Sequence, residues 1–219
     1  MRGNGAWLRQ QVVQGEGRSL MTYGAIIGVG CGLYGVTVGL WRAPQQSLYT
    51  ALKFPLLIFL TSAGNALLNG ILAQLLGSGM SFRQSACAIL MSFAVAAVIL
   101  GGLSPVTLFV VLNAPPLESS SALTGHSIVL LTHVLVIGYA GVMANRHLFR
   151  LLEETSGQRA HARAVLCSWL AGNLFLGSQL AWILRPFIGS PKLAVQFLRD
   201  DPLRGNFYEA VWRAFFHLF

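Results

Sequence analysis

Carboxylates are scarce in this chain: seven acidic residues in 219, and none at all between Glu16 and Glu118. Proton-coupled pumps, cation transporters and membrane hydrolases that work through buried carboxylates or paired metals need such groups inside their spans. Here Glu16, Glu118, Glu153, Glu154, Asp200, Asp201 and Glu209 all fall outside the long apolar stretches. Those function classes are disfavoured. Cysteine is equally sparse: Cys31, Cys87 and Cys167 stand alone, with no C-x-x-C pair and no zinc-ligand spacing, so they read as packing residues. Charge of either sign makes up only 10% of the residues while 54% are hydrophobic; soluble domains carry about 25% charged residues.

What is present is a set of long, charge-free apolar runs. Five meet the length needed to cross a hydrocarbon layer: Leu20 to Trp41, Phe54 to Gly77, Ser85 to Leu103, Ser127 to Ala144, and Ala164 to Leu184. The stretch from Val106 to Leu112 is apolar but short, set between Ser104-Pro105 and Pro115-Pro116, and is expected to be re-entrant or interfacial. The fold expected is therefore all-α and polytopic. It divides into an interfacial segment at 1–19, a five-helix membrane domain at 20–184, and a tail at 185–219. The first run is preceded by about 19 residues and followed by no A-x-A site, so it reads as a retained span rather than a signal peptide.

The 15 basic residues, and the net charge of +8, lie in the gaps between apolar runs. Anionic lipid headgroups and the positive-inside bias account for them, and nucleic acid is not an expected partner. Arg2, Arg9, Arg18, Arg83, Arg146, Arg150, Arg159 and Arg163 fall on the amino-terminal side of a five-span layout, against Arg42 and Lys53 in the opposite loops. That asymmetry puts the amino terminus in the cytoplasm and the carboxy terminus outside.

Gly30-x-Gly32-x-x-Gly35 is a literal dinucleotide fingerprint, but it sits inside an apolar run with no strand before it and no acidic residue about 20 positions on. The denser pattern is Gly24, Gly28, Gly32, followed by Gly35 and Gly39. Glycines four apart flatten one helix face so that a second backbone can approach, and all five are expected to be packing positions.

Polar residues inside the spans are Asn65, Asn69, His133, Asn173 and Gln179, with Ser178 beside the last. Either they bond across helices or they form a neutral polar site. His126 and His133 share a helix face, but no further histidine lies in a span to complete a haem or metal site. No cofactor is expected, and no catalytic motif is present.

The tail is broken by Gly189-Ser190-Pro191 and Asp201-Pro202. Beyond it Phe207, Tyr208, Val211, Trp212, Phe215, Phe216 and Phe219 recur at helical spacing, opposite Glu209 and Arg213. Such a helix is expected to lie along the headgroups as an anchor, or to dock a partner.

Two stretches carry a family resemblance. Phe54 to Leu103, with Leu76-Gly77 closing one apolar helix and Ser81-Phe82-Arg83 opening a small-residue-rich one, resembles the central part of the Yip/Yif family of five-span membrane proteins. The resemblance implies the five-span fold. "SQLAWILRPFIGSP" and "FLRDDPLRGNFYEAVW" resemble the end of a group of poorly characterised bacterial multispan proteins. Together these features point to a non-enzymatic accessory or scaffolding subunit that packs against other membrane proteins or itself in the bilayer, in a bacterial inner membrane. The alternative is a small transporter or channel for a neutral or lipid-like solute.

Overall fold

The computed structural model describes residues 17–75, 82–156 and 159–216. The interfacial segment expected at 1–19 lies almost wholly outside the described residues, as do Leu76-Gly77, Ser81 and Phe219. The described residues form α1 (Gly17–Leu40), α2 (Pro44–Leu75), α3 (Phe82–Asn113), α4 (Ala122–Ser156), α5 (Arg159–Ile183) and α6 (Phe207–Phe216), with no strand among them. The first five are long and apolar enough to cross a membrane. This is an all-α integral membrane architecture.

α1 lies in the groove between α2 and α3; α3 packs on α4, α4 on α5, and α5 back on α2, while α6 leans on α4 and α5. One core cluster, around Ile27, Cys31, Tyr34 and Val38 of α1, holds Phe54, Ala97 and Val129. A second, around Trp169 of α5, holds Cys87, Ala88, Leu148 and Val165 near the end of the bundle where α1 begins.

Three expectations from the sequence are corrected. The second helix starts not at Phe54 but at Pro44, where proline fits the first turn because its missing N–H would have no partner there anyway. Lys53 is therefore a residue of α2, fully buried, and not a loop cation. α3 runs without interruption through Ser104-Pro105, so Val106 to Leu112 belongs to the third span. Near that proline the hydroxyls of Ser104 and Thr107 donate to the carbonyls of Leu100 and Ser104, at 3.2 and 3.1 Å. α4 exceeds the expected Ser127 to Ala144 at both ends, because helix continues past the apolar run into the polar turns that carry Arg146 and Arg150.

Candidate functional site

The glycines of α1 do not share one interface. A Cβ built on Gly39 would lie 2.5 Å from the Gln46 carbonyl oxygen, and one on Gly35 would lie 2.6 Å from that of Thr50, so here the backbones of α1 and α2 are in direct contact. On Gly30 it would collide with the Ala97 carbonyl of α3. Gly32 stands at ordinary contact, 3.7 Å from the Ala51 oxygen; Gly24 reaches only the edge of Phe59; Gly28 has nothing within 4 Å. The expected Gly24-Gly28-Gly32 face is thus largely open within this chain. Close approach belongs to Gly35 and Gly39 on one side and Gly30, outside the four-residue ladder, on the other.

The in-membrane polar residues likewise divide. Tyr34 Oη lies 2.7 Å from Nδ1 of His133, with the rings edge-on. This pair sits beside Phe54, level with about residue 51 of α2, because Gly35 and Gly39 meet Thr50 and Gln46 in antiparallel register. Asn65 is some fourteen residues farther along α2, or roughly 21 Å at 1.5 Å per residue. His133 is not part of a site with it.

Asn65 and Asn173 come to about the same height in the α2–α5 seam. Gly177 faces Thr61, with 3.7 Å from its built Cβ to the threonine methyl, and Gly64 faces Leu176 at 3.2 Å; antiparallel helices in that register set Asn65 beside Asn173. Gln179 lies six residues beyond Asn173, about 9 Å along α5 and turned to another face. Asn69 is on α2, but its side chain lies outside the described residues. Among the described residues neither amide atom of Asn65 has a hydrogen-bond partner, although the residue is fully buried; Asn173 Oδ1, Trp169 Nε1 and Ser85 Oγ are likewise buried and unpartnered there.

At the opposite end of the bundle the tail folds into a cap that hydropathy could not show. Lys53 Nζ donates to the Pro186 carbonyl at 2.8 Å, Gln46 Nε2 donates to the carbonyls of Pro186 and Phe187 at 2.8 and 3.0 Å, and Thr50 Oγ1 donates to Phe187 at 2.6 Å. These three side chains, at i, i+4 and i+7, share one face of α2. The Lys53 ammonium stands 4.8 Å from the Phe197 ring centroid, a cation–π contact. Arg42 donates to the carbonyls of Ser190 and Leu193 at 3.0 and 3.1 Å.

Arg185 is the second hub. Its guanidinium donates to four carbonyls, of Trp182, Asp201, Pro202 and Arg204, at 2.6 to 3.1 Å, and stacks on the Trp182 ring at 4.0 Å. Burial pushes its pKa below the ordinary arginine range; neighbouring Arg199 adds to this and Asp201 opposes it. Arg199 in turn is lowered by burial and by Arg42 and raised by Asp200. Cations gather here because each is needed as a donor to loop carbonyls, and the two aspartates offset part of the repulsion.

The cap ends at Gly205, whose φ of 79° suits glycine, and at Asn206, whose Oδ1 accepts the Glu209 N–H at 2.8 Å and so caps α6. α6 buries Ala214, donates from Tyr208 Oη to Ser178 Oγ at 3.1 Å, and pairs Glu209 with Arg213. It is anchored to the bundle rather than resting on headgroups alone. Tyr208, Trp212 and Phe216 remain 50%, 65% and 59% exposed, and Phe207, half-buried, stacks edge-on against Tyr208. Phe215 stacks edge-on with Phe216. Between α4, α5 and α6 runs a cleft of about 640 Å³, walled by Leu130, Trp182 and Ala214 and rimmed by Arg204 and Arg213.

Asn65 and Asn173 were among the polar residues that sequence reasoning singled out; Gln46, Thr50, Lys53, Arg42, Ser85 and Trp169 were not. Their signal was available in part, since Gln46, Thr50 and Lys53 form a polar stripe at helical spacing just upstream of an apolar run. Among the described residues no group of three or more histidine, cysteine or acidic side chains is placed to hold a metal ion. No protein-family model, no curated protein and no solved structure matches this chain.

Proposed function

We propose that this chain is a non-enzymatic accessory or scaffolding subunit of a bacterial inner membrane, with its amino terminus in the cytoplasm and its cap outside, docking another membrane protein through α6. The observation that carries this reading is the cap. A fully buried lysine, two arginines, a glutamine and a threonine are all used to hold loop carbonyls, so the invested chemistry goes into a rigid shape and not into a reacting group. On that platform Trp212 and Phe216 form an exposed aromatic pair with ring centroids 4.7 Å apart, the residue type that dominates protein interfaces. Arg204 and Arg213 beside them suit a partner with an acidic juxtamembrane surface.

A photo-crosslinking residue at position 212, introduced into the full-length protein in cells, is expected to yield a discrete protein adduct. Trp212→Ser combined with Phe216→Ser should abolish co-purification of that partner while leaving the melting temperature of the detergent-solubilised protein unchanged. Crosslinks to lipid alone would sink the docking reading, and a reporter fused after Phe219 that fluoresced in the cytoplasm would overturn the orientation. The alternative, a small transporter or channel for a neutral or lipid-like solute, draws its support from a different place, the unpartnered amides of Asn65 and Asn173.

A further inference from the structure

Besides single buried, unpartnered atoms on Gln46, His133 and Asn145, such atoms among the described residues occur on Asn65, Ser85, Trp169 and Asn173. Asn65 stands beside Asn173 in the α2–α5 register. Trp169 is one helical turn from Asn173 and shares its face of α5. Trp169 also packs in the cluster containing Ala88, and Ser85 is on the same face of α3 as Ala88, three residues before it. Asn65, Ser85 and Trp169 are all fully buried, and each presents a hydrogen-bonding atom that no group among the described residues meets. In a bilayer no bulk water is at hand to meet it instead. Four such groups converging from three helices are a stronger signal than one, because a single orphan is ordinary imperfection and a convergent set is a donor–acceptor array.

The array is neutral. Asn65 offers both donor and acceptor atoms, Asn173 an acceptor, Trp169 a donor, and Ser85 either role, so its complement carries hydroxyl and carbonyl oxygens and no formal charge. Access narrows the complement further: only 11% of the α5 span is buried within the bundle, the least of the five, and Leu174 and Phe175 next to Asn173 are 65% and 64% exposed. A ligand reaching these groups past α5 comes from the bilayer.

We infer that the α2–α5 seam at Asn65, Asn173, Trp169 and Ser85 is a binding site for a neutral, hydroxyl-bearing lipid headgroup of the diacylglycerol type. The seam is sealed in this structure, so binding requires α5 to part from α2, and the unpartnered amides favour that parting once a hydroxyl-bearing headgroup is there to satisfy them. This site is independent of the cap, and either can fail without the other.

The test uses the full-length protein in phosphatidylcholine nanodiscs doped with dioleoylglycerol, with bound lipid read by native mass spectrometry. Wild type is expected to retain dioleoylglycerol and to discriminate against its acetylated form, which lacks the hydroxyl donor. Asn65→Leu and Asn173→Leu should each weaken retention about tenfold, the loss of one good headgroup hydrogen bond, while Gln179→Leu should not. No retention by wild type, equal retention of the acetylated lipid, or retention unchanged in both amide variants would each overturn the site. So would an Asn65→Leu protein that melts higher than wild type whether or not dioleoylglycerol is present, since replacing a plain buried orphan with an apolar side chain of similar size relieves its desolvation. Where one amide variant does not fold, the other and the acetyl-lipid comparison in wild type decide.

Discussion

Gly39→Leu is expected to leave almost no monodisperse protein after detergent extraction, whereas Gly28→Leu should behave as wild type or slightly better. At Gly39 the new Cβ would meet the backbone carbonyl carbon and oxygen of Gln46 and the Cα of Ser47, all within 2.7 Å. None of these atoms is the end of a flexible side chain, so relief demands that α2 move away from α1. The connection makes that movement hard: three residues join the helices, and the Gly39 carbonyl itself accepts the N–H groups of Arg42 and Ala43. Overpacking a core costs about 1–3 kcal/mol where side chains can yield, and a clash with backbone sits at or above the top of that range. At Gly28 there is nothing within 4 Å, and replacing a mid-helix glycine with a good helix former recovers up to about 1 kcal/mol. Thermal denaturation followed by size-exclusion fluorescence distinguishes the two; equal behaviour would mean that the α1–α2 contact is not what holds this end of the bundle.

Arg185→Ala is expected to release the cap without unfolding the five spans. Four carbonyls lose their common donor and Trp182 loses its stacked cation. Hydrogen bonds from a charged donor are worth about 1.5–3 kcal/mol each when buried, but this arginine is only half-buried, so a total of roughly 2–4 kcal/mol is the reasonable scale. Brief trypsin treatment should then cut at Lys192, Arg199 and Arg204 much faster than in wild type, with the core fragment still helical. Arg185→Lys should not rescue it, because one ammonium cannot reach four carbonyls arranged for a planar fork. Unchanged cleavage would show that the Gln46, Thr50 and Lys53 bonds hold the cap by themselves.

Both experiments act on features that the linear pattern concealed. The five spans were legible because a bilayer imposes one requirement, about 20 apolar residues without charge, and that requirement acts on each segment separately. The start of α2 was not. Gln46 and Lys53 break the apolar pattern, and they are tolerated at the membrane edge because their donors meet the carbonyls of Pro186 and Phe187, more than 130 residues away in the chain. Pro105 read as a stop because it removes a backbone donor, yet α3 continues through it to Asn113, as spanning helices tolerate a single internal proline. The glycines of α1 were recognisable as packing residues by spacing alone, but spacing says nothing about which way a helix is turned.

The same division holds for the polar residues. That Asn65 and Asn173 lie within spans was plain; that they share a height in the α2–α5 seam while His133 pairs with Tyr34 at another depth depends on helix register. The sequence by itself determined an all-α membrane protein of five spans with an aromatic tail helix, and the absence of carboxylates from those spans, because length and polarity are properties of one segment at a time. The tertiary structure alone decided that Gly35 and Gly39 form the tight seam, that Lys53 and Arg185 build the cap, and that Asn65 and Asn173 share a height in the α2–α5 seam. Each of these depends on the rotation and relative height of two helices, which no single segment encodes.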